Sequence, residues 1–277
     1  MSVLESILIN TYNPSLEARQ HAEQSLVVYL ATPGSALDML STVGNASHRD
    51  IRLAAAIIMK NRIRDFWLSQ AGLTIPEELK PHFKLLIVQI LTAETDNSIK
   101  KIVAECIRTI SEYEFPEKWI DLIPTLLGQI QSAAPLPMYN SLLAIRHLVK
   151  RYEFKQRGQR DVLNAIIESL FPILQPLISQ LVDNNAIEAA HIMRVSCKIF
   201  WSCTQYALPE TTTVDVSLWF QLLTRMLEKK LPEASEGIEP LGQPVDPSER
   251  RQWPWWKVCI THTLFTYSPM LCNDWSI

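Results

Sequence analysis

The sequence predicts an all-α protein assembled from stacked helical pairs, and three observations predict it. Glycine is scarce, 7 in 277 residues, while 47% of residues are hydrophobic; helices disfavour glycine because it gives up the most backbone freedom on ordering. Apolar residues recur at helical spacing in segment after segment. Short stretches carrying Pro, Asn, Asp or Gly separate those segments, and such residues cap or break helices.

About twelve helices follow from this pattern. The first pair is read as Val3 to Thr11 and Ser15 to Ala31, with Asn13 and Pro14 supplying a cap and a first-turn proline. Ser35 to Val43 and Arg49 to Leu68 form the second pair, Glu77 to Ala93 and Asn97 to Tyr113 the third, with Asp96 placed to cap the latter helix. Glu117 to Ile130 and Met138 to Phe154 form the fourth pair, Val162 to Leu181 and Ala186 to Ala207 the fifth, and Val216 to Lys230 opens a sixth.

The second helices of successive pairs begin roughly 34 to 48 residues apart, which brackets the period of HEAT-type two-helix repeats. One helical pair cannot bury its own apolar face, so neighbours must stack into a continuous core. The expected architecture is a right-handed superhelical solenoid of HEAT-type pairs, armadillo-like in form. An irregular helical bundle is the alternative that periodicity leaves open.

Two second helices show the logic. Along Arg49 to Leu68, Ile51, Ala54, Ala55, Ile58 and Met59 make an inward face, while Arg52, Ala56, Lys60 and Arg64 follow at i, i+4 as an outer stripe. Along the next second helix Ile99, Ile102, Val103, Cys106 and Ile110 face the core, leaving Lys101, Glu105, Arg108 and Glu112 outward. The stripe and its continuation would line the inside curve of a solenoid.

Composition narrows function. A net charge of −3 gives no global attraction to phosphates, so nucleic acid is not the expected partner. Five cysteines without a CxxC suit free thiols of a reducing compartment. The start carries Glu5 and no basic or long apolar region, so it reads as neither a signal nor a transit peptide. No membrane span is expected.

No phosphate-cradling, nucleophile-elbow or zinc-protease motif occurs, so no catalytic, cofactor-binding or metal-binding residue is nominated and the chain is read as not an enzyme. Cys259 and His262 lie one helical turn apart, but structural zinc takes about four ligands. Glu77 and Glu78, beside Pro76, are read as helix-start acids that favour the dipole. Cys197 and Cys203 are read as buried thiols, and Trp67, Trp119, Trp201 and Trp219 as packing residues. The cluster Arg146, Lys150, Arg151, Lys155, Arg157 and Arg160 reads either as a solvated helix end or as a contact for an acidic protein surface.

Three ordered segments resemble the importin-β superfamily of nuclear transport receptors, the karyopherins. RLAAAIIMKNRIRDFW is similar to the signature helix of its N-terminal domain through Arg52, Ala55, Lys60, Asn61 and Trp67. NPSLEARQHAEQSL resembles the first repeat, and EYEFPEKWIDLIPTL matches a later pattern through Glu114, Phe115, Pro116 and Trp119. LVKRYEFK and WPWWK resemble the branch containing importin seven and importin eight.

The resemblance implies that the N-terminal repeats bind the small GTPase Ran in its GTP form, without cofactors. It further implies that whole receptors carry cargo proteins past Phe-Gly nucleoporins as monomers shuttling between cytoplasm and nucleus, without membrane insertion. Carried over residue by residue, the Ran-facing side chains would be Arg52, Lys60, Asn61 and Arg64, with Lys101, Glu105 and Arg108. Asn61 would either hydrogen-bond the partner or join neighbouring helices. A helical-repeat scaffold unrelated to Ran fits composition and period equally well.

The expected organisation is a Ran-binding region of three repeats at 1–112, further repeats at 113–230, an acidic Pro-rich loop at 231–251, and an incomplete repeat with an aberrant tail at 252–277. The resemblance ends at Lys257. A retained intron or truncated gene model is the expected cause, since Val258-Cys259 can be encoded by the splice-donor sequence GTATGT.

Overall fold

Helices α1 (Val3–Asn10), α2 (Leu16–Leu30), α3 (Ser35–Asn45), α4 (Arg49–Phe66), α5 (Lys80–Ala93) and α6 (Asn97–Glu114) form one compact unit, residues 1–120. A second unit begins at Asp121 and contains α7 (Leu122–Gln131), α8 (Pro135–Lys150), α9 (Asp161–Leu181), α10 (Ile187–Thr204) and α11 (Val216–Glu228). The computed structural model describes residues 2–68, 75–132, 134–205 and 215–228. Among them there is no strand. The loop expected at 231–251, the tail at 252–277 and the Cys259/His262 pair lie outside the described residues.

In the first unit α3 packs on α4 and α5 on α6, and the pairs stack through α3 on α5 and α4 on α6. First helices meet first helices and second meet second, as a repeat requires. Gly44 allows the α3–α5 approach: a Cβ there would meet Ile90 at 3.2 Å. The opening pair departs from the scheme, because α1 rather than α2 lies against α4, and Ala22 is the one buried residue of α2.

The second unit repeats the pattern, with α7 on α8, α9 on α10, and stacking of α7 on α9, α8 on α10 and α9 on α11. Phe171, Phe200 and Trp219 meet at its core with centroids 4.4 to 5.8 Å apart. Each such ring buries enough apolar area to contribute about 2–3 kcal/mol. By length and composition α9 could cross a membrane, a span the sequence reading did not expect. Its apolar stripe, Leu163, Ile167, Leu170, Leu174 and Ile178, is instead buried within the unit.

Several local expectations are corrected. Ser15, not Asn13 with a first-turn Pro14, caps α2 by accepting from the Ala18 N–H, and Pro14 precedes the cap. α5 starts at Lys80 rather than Glu77: Glu77 lies in a turn and pairs with Lys80 instead of facing the helix dipole. α7 starts at Leu122 rather than Glu117, while α8 starts at Pro135, three residues before Met138. Trp67, Trp119 and Trp219 are buried, but Trp201 is half-buried. Asp96 caps α6 as expected, accepting from the Ser98 and Ile99 N–H groups.

The first unit closes at Ile120, and side chains explain why. Glu114 accepts from the Trp67 indole N–H at 2.8 Å and pairs with Lys84 at 2.7 Å. Lys84 also donates to the Lys118 carbonyl and lies over the Trp119 ring. The stretch after α6 is thereby held on the α4–α5 side of its own unit.

Candidate partner-binding surface

Helices α4 and α6 run against one another, and every residue nominated as a Ran contact sits on one of them. α4 carries Asp50 in its first turn and Arg64 in its last, both favourable to the helix dipole. α6 is started by the Asp96 cap and buries Ile99, Val103, Cys106 and Ile110.

The outer stripe on α4 is only partly outward. Ala56 is completely buried and Arg52 half-buried. Arg52 Nε donates to the Val43 carbonyl at 2.7 Å, and its terminal nitrogen pairs with Glu94, whose side chain is 1% exposed. Lys60 and Asn61 are half-buried, and Arg64 is exposed, its Nε and Nη2 donating to the two Asp65 carboxylate oxygens at 2.7 and 3.0 Å. A small residue at 56 lets the neighbouring chain approach, which turns part of the expected stripe into an interface.

On α6, Lys101 is exposed and Glu105 and Arg108 are half-buried. Arg108 bridges Glu105, at 2.9 and 2.7 Å, and Glu112. The hydrogen bonds to Glu105, outweighing burial, push the guanidinium further up. Burial first, and then Glu105, pushes the Cys106 thiol up, while Lys60 across the seam works the other way. Lys60 is thus close enough to α6 for its charge to be felt at Cys106.

Sequence reasoning missed three ionisable residues here. Glu94 receives Arg52 and also accepts the Asp96 N–H at 2.7 Å, while Asp96 receives Arg49 at 2.6 Å. Lys100 is buried near both acids, and its ammonium is pushed down by burial against their pull. Arg62, 6% exposed, donates to Ser35 Oγ at 2.6 Å, and burial lowers it too. Lys and Arg at helical positions read as solvated, and only the tertiary partners reveal otherwise.

In the second unit the basic cluster divides. Arg160 is buried and donates to the Cys203 carbonyl, and Arg146 lies 3.8 Å from the buried Glu153. Lys150 and Lys155 stay exposed. Among the described residues no group of three or more His, Cys, Asp or Glu is placed to hold a metal ion.

Stacked helical pairs with a charged seam between second helices define a helical-repeat solenoid protein. Residues 22–108 match the Importin-beta N-terminal domain family, a span from within α2 to within α6. Over that span the chain is similar to the importin-β superfamily. It is 29% identical over 263 residues to an importin beta-like SAD2 homolog of Arabidopsis thaliana, covering 91% of this chain and 24% of that protein. It is 24% identical to importin-8 of Homo sapiens, covering 75% of this chain and 20% of that one. The fold is that of the exportin Cse1 in its cargo-free, cytoplasmic state, at a TM-score of 0.77 and 17% identity over 98% of this chain and 30% of that one. The chain spans about a quarter or less of the length of these curated relatives.

Proposed function

We propose that the chain is the amino-terminal part of a nuclear transport receptor and binds Ran in its GTP form, for protein import into the nucleus. One observation carries this reading: the Importin-beta N-terminal match spans both α4 and α6 as far as Arg108. It therefore includes Lys60, Asn61, Arg64, Lys101, Glu105 and Arg108.

The seam suits recognition of a protein surface rather than chemistry. Lys60, Arg64 and Lys101 supply cations for acidic side chains of the GTPase, and Asn61 supplies both a donor and an acceptor. Arg108 is bridged to Glu105 and Glu112, so the three side chains form a fixed charged cluster rather than flexible single charges. Nucleotide state would be sensed through switch segments that the γ-phosphate orders, with no hydrolysis by this chain. The receptor would shuttle between cytoplasm and nucleus, and cargo and Phe-Gly nucleoporins would engage the whole receptor.

A pull-down with Ran loaded with a GTP analogue or with GDP tests the reading, comparing the natural chain with a Lys60→Glu/Arg64→Glu variant. Capture of the GTP form alone, weakened in the variant, supports it. Equal capture of both forms leaves a helical-repeat scaffold.

A further inference from the structure

The turn after α8 carries exposed cations and an exposed aromatic ring. Lys150 ends α8, residues 151–154 form the turn, and Lys155 follows. The one acid between Ala144 and Arg160 is withdrawn from the surface. Glu153 is 2% exposed, accepts from the Ser202 hydroxyl at 3.1 Å, and its backbone carbonyl accepts from the Gln205 amide at 2.7 Å. Arg146 lies on its inner side at 3.8 Å.

What remains outside is positive and partly apolar. Lys150 and Lys155 are exposed, Arg151 lies over the Tyr152 ring at 5.4 Å, and Phe154 is 69% exposed. Tyr152, 8% exposed, packs inward, whereas most of the Phe154 side chain faces solvent.

We propose that this turn docks an acidic peptide segment carrying an apolar residue. Charge complementarity selects the acid: Lys150 and Lys155 are exposed close in sequence to the ring, and Glu153, the local counter-charge, is buried. The ring selects the apolar residue, since an inorganic phosphate or a hydrated headgroup gains nothing from Phe154. Nucleic acid is disfavoured because a strand needs successive stacking platforms along a basic groove. This turn offers one exposed ring on a chain of net charge −3. The site is independent of the Ran reading, whose residues belong to the first unit.

Fluorescence anisotropy tests it on the full chain, using a labelled peptide of glutamates flanking a Leu-Phe pair. Control probes are the same peptide with lysine for glutamate, a labelled oligouridine, and vesicles of phosphatidylserine and phosphatidylcholine. The acidic peptide binds and the lysine peptide does not. Lys150→Glu/Lys155→Glu weakens binding about tenfold and Phe154→Ala about threefold, with far-ultraviolet circular dichroism unchanged. Lys60→Glu/Arg64→Glu binds like the natural chain. No binding of the acidic peptide, binding indifferent to both turn variants, or tighter binding of oligouridine or vesicles through the same lysines overturns the proposal. If a turn variant loses helical signal, Phe154→Leu and Lys150→Gln decide in its place: retained binding with the first and weakened binding with the second support the site, and the opposite pattern overturns it.

Discussion

Arg52 pairs with Glu94 across 42 residues of sequence, joining the second helix of one repeat to the loop that starts the second helix of the next. The same guanidinium holds the Val43 carbonyl near the end of α3. One signature arginine therefore ties together α3, α4 and the α5–α6 loop, and sets how α4 lies relative to α6.

Removing it takes the Arg52 guanidinium away from a carboxylate that is 1% exposed. Arg52→Ala is expected to destabilise the chain by about 2–3 kcal/mol, at the lower end for a broken buried pair because Arg52 is itself partly solvated. Arg52→Ala/Glu94→Ala should cost less than the sum of the single variants. Urea unfolding of the four proteins measures the coupling.

Trp67→Phe deletes the indole N–H that Glu114 accepts and leaves the ring against Phe83 at 5.7 Å. The expected loss is about 1–2 kcal/mol, that of a buried hydrogen bond to a charged group. Glu114→Gln should cost more, because the Lys84 ammonium then loses its ion pair. Thermal unfolding followed by circular dichroism ranks the two.

Asp96 gives a pH signature. Burial would raise its carboxyl, but the Ile99 N–H, Arg49 and the Ser98 N–H outweigh it and hold the group below the usual aspartate range. A carboxyl depressed in the folded state adds stability above its unfolded value, and that stability is lost as pH falls through the folded value. Asp96→Asn should therefore flatten the acid limb of the stability curve below about pH 4. Denaturant midpoints measured across that range check it.

The buried thiols should resist labelling. Burial pushes Cys203 up to about 12 and Cys106 higher still, and Cys197 is buried beside Met226. Thiolate is the reactive form, so brief treatment with a maleimide at neutral pH should leave these three unmodified in the folded chain and modify them in urea. Peptide mass spectrometry reads the difference.

The helices were legible because their apolar spacing is local: Ile99, Val103, Cys106 and Ile110 fall on one buried face, as the 3.6-residue period requires. The Asp96 cap was equally local. Helix starts at Lys80 and Leu122 were not, since Glu77 and Glu117 are compatible with a first turn, and Glu77 is drawn instead to Lys80. The seam was half legible. Lys101 and Arg64 are exposed where spacing places them. Ala56 and Arg52 turn inward because of what α6 and Glu94 bring from 42 or more residues away, and no periodicity encodes a tertiary partner.

The central claim is nucleotide-state-selective binding of Ran through the α4–α6 seam. Isothermal titration of this chain with Ran loaded with a non-hydrolysable GTP analogue, and then with GDP, tests it most directly. The account predicts saturable heat with the GTP-analogue form, at least about tenfold weaker affinity for the GDP form, and loss of the preference in Lys60→Glu/Arg64→Glu. Equal affinity for the two forms, or no binding to either by a folded chain, would contradict it.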